Sequence, residues 1–334
     1  MNKGKALIDL IRKASVKRDV TQLNSNAFRL FNGFYEGAPG LVLDRYGPAL
    51  VIMNHAEPGV YYSEIDEVAR WAIANLQGLE AVLYKQRQHP DEGMKQGRLL
   101  AGEQLPAVII EHGVNYALDL QLHQDASFYL DTRLLRRWLL DHMAEKRLLN
   151  TFSYTGSLGV AAGAGDASLV VQTDINPKYL HIARQSWTLN HLPRGQYQVI
   201  PGDFFRVAGR VRAEQRLFDG VILDPPFFSS TEAGTVDLLG ETIRLVNKVR
   251  PLVAHQGWLV VINNALFLSG KDFMAEIEAL CQSPYITFEQ IIPIPPDITG
   301  FPDTIIAQPP TDPAPFNHPT KIAILRLTRK DGRQ

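Results

Sequence analysis

From residue 115 onward, short β-branched runs alternate with stretches of helical spacing, and this rhythm restricts the fold more than any other feature. Consecutive parallel strands need a crossover of about a dozen or more residues, usually a helix. Helical spacing covers 132–146, 158–164, 177–190 and 271–280, and strand-like runs cover 147–152, 169–174, 197–201, 218–224, 258–263, 287–293 and 321–328. The pattern predicts an α/β fold, a doubly wound and mostly parallel sheet whose last strand is antiparallel.

The preceding residues read differently. At 334 residues the chain exceeds the size that one core usually serves. We expect three parts: an amino-terminal helix over 1–24, a small α+β domain over 25–114 and the parallel-sheet domain over 115–334. Asp9 interrupts the only apolar run of the first segment and no small-residue cleavage site follows, so it reads as a surface helix rather than a targeting signal. Residues 27–56 give short β runs broken by APG and YGP turns, and 62–77 reads as a helix with Ile65, Val68, Ala69 and Ile73 on one face. AVLYKQR is a strand, HPDEGMKQGR a charged loop, and 108–122 a hairpin turning near His112 and Gly113. The proline-rich stretch 294–320 is too long for an idle connection and is expected to cover the substrate side of the sheet.

Charge and cysteine content narrow the chemistry. With 34 Lys and Arg against 35 Asp and Glu, the net charge of −1 creates no global field for nucleic acid, so any such contact is a local patch. A single cysteine, Cys281, excludes a disulfide framework and a multi-thiolate zinc site, and the nine histidines show no ligand-spaced pair, so no metal is expected. No run reaches membrane-spanning length, which points to a cytoplasmic protein.

Three strand ends carry an acid. The first turn of the sheet, FSYTGSLG, has Gly156 and Gly159 for a tight approach to the next helix, but Tyr154 stands where a dinucleotide-binding loop has its first glycine. That substitution suits a ligand without phosphates. Asp174 ends the next strand, with Ile175 beside it, where a carboxylate can accept both hydroxyls of a ribose. Taken alone it does not separate NAD from S-adenosylmethionine. In PGDFF, Asp203 is placed to accept from an adenine amino group while Phe204 packs on the ring, although ordinary turn chemistry explains Asp203 as well.

The fourth strand ends in VILDPPFFSS. Pro225 and Pro226 stop the ladder, Asp224 adds a carboxylate, and Phe227 offers a flat face, with Phe228 beyond it. A hydride-transferring enzyme has no use for acceptors and a stacking ring there, whereas methyltransferases acting on base amino groups or ring nitrogens need both. Asp224, Pro225 and Phe227 are the candidate catalytic group; Phe228 and Asn264, after the neighbouring strand, are candidate substrate contacts. Asn263 and Asn264 read equally well as strand-terminating turn residues.

From Ala27 onward the chain resembles the class I S-adenosylmethionine-dependent methyltransferases of bacterial large-subunit (23S) rRNA, a family with cytosine-C5 and guanine-N7 members. The matching segments are RLFNGFYEGAPGLVLDRYG, FYLDTRLLRRWL, LLNTFSYTGSLGV, TDIN and LDPPFF. The resemblance implies a Rossmann-like sheet, Asp174 on the ribose, Asp203 on the adenine, and Phe128, Asp131 and Arg133 bordering the methionine end of the donor. It also implies an RNA-contacting small domain, for which Arg29, Lys85 and Arg87 are candidate phosphate contacts, with Arg45, Arg136 and Arg137 further basic positions. His123 reads as a satisfied histidine.

Two departures matter. Many members carry an amino-terminal PUA-type module where this sequence has only a short helix. Pyrimidine C5 methylation normally needs a cysteine adduct, and Cys281 falls at the far end of a helix leading away from the strand ends, while VINNALF occupies the expected cysteine position. The expected function is therefore methylation of an rRNA base nitrogen, guanine favoured, without a covalent intermediate. Rival readings are a methyltransferase of protein amides or small molecules, an NAD-dependent oxidoreductase, and a non-catalytic RNA-binding protein. A homodimer is compatible with the sequence.

Overall fold

Apolar residues at positions 7, 8, 11 and 14 give helix α1 (Lys3–Val16) one buried stripe, and it packs within the smaller of two units. In the computed structural model, residues 3–18 and 23–334 are described; one unit draws on Met1–Asp131 and Pro295–Pro309, the other on Thr132–Ile294 and Pro310–Gln334. After α1 come β1 (Ala27–Asn32), α2 (Gly33–Glu36), β2 (Leu41–Tyr46), β3 (Ala49–Asn54), α3 (Tyr62–Asn75), β4 (Ala81–Gln86), α4 (Glu92–Gln96), β5 (Arg98–Ala101), β6 (Val108–Glu111) and β7 (Val114–Ala117). The first five strands form a sheet in sequence order, antiparallel except for the β3–β4 pair, whose crossover is α3.

Strands β6 and β7 form a separate hairpin whose turn residues, His112 and Gly113, both have positive φ, the geometry that matches strand twist. Residue 115, where the sequence pattern changes, lies inside β7. Helix α3 buries Ile65, Val68, Ala69 and Ala72, whereas Ile73 is exposed. At about 100° per residue, position 72 returns close to Ile65 and position 73 lies well off the stripe. The charged segment HPDEGMKQGR is not a plain loop, because Asp91 accepts from the Gly93 amide at 2.7 Å and starts α4.

The larger unit contains α5 (Arg133–His142), β8 (Arg147–Thr151), α6 (Ser157–Ala164), β9 (Leu169–Thr173), α7 (Pro177–Leu189), β10 (Tyr197–Val199), α8 (Phe204–Ala213), β11 (Phe218–Leu223), β12 (Phe228–Thr231), β13 (Gly234–Asp237), α9 (Thr242–Val249), β14 (Val253–Asn263), α10 (Gly270–Cys281) and β15 (Ile286–Ile291). Helix α11 (Pro296–Thr299) belongs to the smaller unit, and β16 (Lys321–Leu327) returns to the larger one. The seven-stranded sheet runs β10-β9-β8-β11-β14-β16-β15. Only β16 runs against its neighbours, as the sequence pattern predicts. Strand order reverses at β8, the point at which such sheets bind ligands.

Strands β8, β9 and β11, and β14 from Gly257 onward, are buried along most of their length on both faces and read as mostly apolar runs. Side chains such as Leu149, Val171, Val221 and Leu259 pack with α8, α9 and α10 into one core. The hairpin β12–β13, directly after the double proline, is an element the helix-strand alternation does not foresee.

The proline-rich stretch is fastened rather than free. In the smaller unit Asp297 accepts from the Arg29 amide at 3.0 Å and Asn32 donates to the Ile298 carbonyl at 2.9 Å. In the larger one Gly270 N–H donates to the Asp312 carbonyl at 2.9 Å. This bonding gives no support to a substrate-side cover. Among the described residues no helix is long and apolar enough to cross a membrane.

Candidate active site

Parallel strands bring the turns after β8, β9, β10 and β11 to one rim, and Asp174 laces the first three together. Its Oδ2 accepts from the Tyr154 amide and its Oδ1 from the Asn176 amide, each at 2.9 Å, while its carbonyl accepts from Gly202 N–H at 3.0 Å. Burial raises the Asp174 pKa, against the lowering effect of the amides of Asn176, Tyr154 and Ile175. Ile175 stands 63% exposed beside it, an apolar surface at the rim.

The turn after β8 is strained. Phe152 and Tyr154 both have positive φ, which non-glycine residues seldom adopt. Phe152 stacks on Phe204 with centroids 4.5 Å apart, and Tyr154 meets Tyr179 edge-on at 4.6 Å. Gly156 has φ +77°, and a Cβ there would lie 2.4 Å from Ala183 Cβ and 2.7 Å from the Gln172 amide; at Gly159 a Cβ would lie 2.6 Å from Gln172. A Cβ at either position would thus crowd the protein's own Gln172, and at Gly156 Ala183 as well. Gln172 is itself fully buried, and its Oε1 accepts from Asn150 Nδ2 at 3.1 Å. A glutamine inside the apolar run of β9 is the sequence signal that local motif reading passes over.

Asp203 is the N-cap of α8, where Oδ1 accepts from the amides of Phe205 at 2.8 Å and Arg206 at 3.2 Å. Its Oδ2 accepts from Thr231 Oγ1 at 2.6 Å. Three of about four acceptor positions on the carboxylate are filled, so turn chemistry and one further donor fit the same group. Phe204 lies in the core on Phe152, not open for an adenine ring. Thr231 sits on β12 and so ties Asp203 to the DPPF arm, a link that sequence reading misses.

Asp224 follows β11 directly and is half-buried, Pro225 is buried, and Phe227 and Phe228 are 44% and 60% exposed. The arm is held from behind: Leu238 N–H donates to the Phe227 carbonyl at 3.1 Å and Asn263 Nδ2 donates to the Leu238 carbonyl at 3.1 Å. Asn263 is fully buried in this bracing, whereas Asn264 is exposed after β14, as is Phe267. Arg133 begins α5 with its side chain buried. Among the described residues no cluster of His, Cys, Asp and Glu is placed to hold a metal.

The remaining candidates lie in the smaller unit. Phe128 is buried, with its ring 5.0 Å from Tyr116, and Asp131 is half-buried at the end of the segment. Lys85 is no phosphate contact: it is fully buried in strand β4, with Nζ donating to the carbonyls of Leu120, His123 and Asp125 at 2.5, 2.7 and 2.6 Å. Burial lowers its pKa to about 8. Arg29 forms a bidentate pair with Asp44 at 2.8 and 3.0 Å. Burial disfavours the Arg29 charge, yet Asp44 outweighs it and the pKa is raised. Arg87 pairs with Asp125 at 2.7 Å and keeps 27% of its side chain exposed.

The rim carries the carboxylates of Asp174, Asp203 and Asp224 beside the exposed Ile175, a set of acceptors and apolar surface that fits S-adenosylmethionine. Residues 63–308 match the family model described as S-adenosylmethionine-dependent methyltransferase. The chain is 34% identical over 264 residues to ribosomal RNA large subunit methyltransferase I of Shigella flexneri, covering 76% of this chain and 64% of that protein. It therefore spans a little under two thirds of that relative's length. The crystal structure of SMU.776 complexed with SAH aligns with a TM-score of 0.84 at 21% identity, covering 97% of this chain and 82% of the other. The tRNA m1G37 methyltransferase of M. jannaschii aligns at 0.55 and 16% identity, covering 88% and 78%. These two likenesses carry the fold, a mostly parallel sheet with an additional amino-terminal sheet. Together with the family match over most of its length, the strand-end acids place the chain in the S-adenosylmethionine-dependent methyltransferase family.

Proposed function

We propose that this protein methylates a base nitrogen, guanine above all, in large-subunit ribosomal RNA, without a covalent cysteine intermediate. The name of the Shigella flexneri relative supports the RNA class. The position of Cys281 carries the choice of nitrogen. It is the chain's one cysteine, and it ends α10 just before β15 begins, at the edge opposite the rim that holds Asp224. Its side chain packs against the core, and burial raises its pKa, so it is neither near the acceptor nor a ready thiolate.

S-adenosylmethionine supplies a methyl carbon bonded to a cationic sulfur. A lone pair on guanine N7 forms the N–C bond as the C–S bond breaks and its electrons return to sulfur; N7 carries no proton to lose. Alignment is then the protein's main task. Phe227 stacks the base, Asp224 orients its edge, and the two prolines fix the strand end that holds both. Asp174 and Asp203 hold the ribose and adenine of the donor. We assign RNA contact to residues 25–114 and donor binding to 115–334.

Incubation with methyl-labelled S-adenosylmethionine and rRNA from cells lacking this gene tests the reading. Ribonuclease-sensitive label that maps by mass to guanine is the expected result. Label on a pyrimidine C5 would refute the nitrogen assignment, and ribonuclease-resistant label would move the acceptor to protein.

A further inference from the structure

The sheet's other edge carries a cavity of about 740 Å³ in the larger unit. Because β16 runs antiparallel, its end at Leu327 meets the beginnings of β14 and β15, away from the strand-end acids. Residues 250–251, 283, 285–286 and 327–331 form the lining.

Its wall is built and fixed. Arg329 Nη1 donates to the carbonyls of Pro251 and Val253 at 2.9 and 3.1 Å, while Nε and Nη2 donate to Asp331 at 2.8 and 3.0 Å. Thr328 N–H donates to the Tyr285 carbonyl at 2.9 Å, joining two segments of the lining. Asp331 also accepts from Arg333 Nε at 2.8 Å, and the guanidinium of Arg329, then that of Arg333, hold its carboxyl far below the ordinary range. Asp331 leaves no unmatched negative charge.

Arg250 and Lys330 contrast with Arg329. Both line the cavity, both are exposed, and among the described residues neither has a carboxylate within ion-pair distance. Tyr285 adds an aromatic ring 42% exposed, and Ser283 adds a hydroxyl. Two cations without carboxylate partners, a hydroxyl and a flat ring suit a phosphate-bearing nucleotide, and the volume falls within the usual range of ligand cavities, roughly 300–1,000 Å³.

We infer that this cavity binds a nucleotide through its phosphate, supplied either by an RNA strand or by a free mononucleotide. The inference goes beyond the proposed activity and does not depend on which base is methylated.

The test compares the full chain with the double variant Arg250→Ala/Lys330→Ala. Anisotropy of a labelled single-stranded RNA is measured across salt concentrations, AMP is titrated by calorimetry, and S-adenosylhomocysteine affinity serves as the control, expected to stay within about twofold. For an RNA strand, affinity falls about tenfold at 0.1 M salt and the slope of log K against log salt becomes shallower by about 1.4, the share of two phosphate contacts. For a free nucleotide, AMP affinity falls and RNA affinity does not. Equal RNA and AMP binding by both proteins, or no binding of either by the unaltered chain, overturns the inference. Methyl transfer is measured separately, so its failure and the failure of this site are told apart.

Discussion

The Tyr154 amide donates to Asp174 Oδ2 at 2.9 Å, so the carboxylate assigned to the donor's ribose also holds the turn that faces it. Asn at 174 would turn one acceptor into a donor facing the Tyr154 or Asn176 amide. Asp174→Asn should lower S-adenosylhomocysteine affinity at least about tenfold and cost about 1–3 kcal/mol of stability. Calorimetry and urea unfolding check the two effects; unchanged affinity would remove Asp174 from the donor site.

Protonation of Asp174 should act on binding and stability with opposite signs. A carboxyl whose folded pKa is raised contributes stability that is fully present below its unfolded value and is lost as pH rises through the folded one. Acidification through that window therefore does not weaken the fold at this residue. Ribose binding needs the charged form, so donor affinity should begin to fall at a pH above the ordinary carboxylate range, about 3.9. Affinity measured against pH, with Asp174→Asn as the reference that has lost this titration, gives the answer.

The glycine turn yields a double-mutant test. Ala at 159 meets the Gln172 amide first, whereas Ala at 156 meets Ala183 as well and has an unfavourable φ. Gly159→Ala should destabilise by about 1–3 kcal/mol as overpacking. Adding Gln172→Ala should recover part of this loss, although it leaves the Asn150 amide without its acceptor. The same addition should recover little at Gly156→Ala. Thermal unfolding of the four variants decides whether Gln172 sets the glycine requirement.

The parallel sheet was legible because its central strands are largely buried on both faces and so appear as mostly apolar runs. What escaped depends on distant partners. Lys85 reads as an exposed cation near a strand end, yet its cage is made by carbonyls at 120, 123 and 125, which no local pattern links to β4. Asp203 and Asp174 were visible as strand-end acids, but their engagement with Thr231 and Tyr154 depends on a hairpin and a strained turn. The glycines at 156 and 159 were legible as a tight turn, though not their crowding against Gln172 one strand away and, at 156, against Ala183.

Lys85→Met distinguishes a structural cation from an RNA contact. It leaves three carbonyls, that of Leu120 buried, without their donor, so stability should fall by about 2–4 kcal/mol. Under conditions where the variant remains folded, the salt slope of RNA binding should not change, because no phosphate contact is lost. A shallower slope would return Lys85 to the RNA surface.

Glu36 and Arg18 form a buried ion pair at 2.9 Å, with side chains 1% and 0% exposed. Glu36 also accepts from Thr304 Oγ1 at 2.5 Å, and Arg18 donates to the Asp297 carbonyl at 3.2 Å, so the pair fastens residues 297–304 within the smaller unit. Glu36→Gln leaves the guanidinium buried without its charge partner and should cost about 3–5 kcal/mol. Limited proteolysis should then cut first near 300–309, and a cleavage pattern like that of the unaltered chain would argue against the fastening.

Cys281 offers the sharpest check on the chemistry. A C5 methyltransferase adds a thiolate to the pyrimidine ring, and losing that thiol stops turnover. Here the thiol sits beside core side chains at the end of α10, with its pKa raised by burial. Cys281→Ala removes only one sulfur from a partly buried contact, so we expect about 1 kcal/mol of lost stability and methyl transfer within about twofold. RNA carrying 5-fluorocytidine should form no adduct that survives denaturation, since trapping requires a cysteine bonded to the ring. Abolished activity in Cys281→Ala at a temperature where the variant is folded, or a trapped adduct, would replace nitrogen methylation by a covalent route.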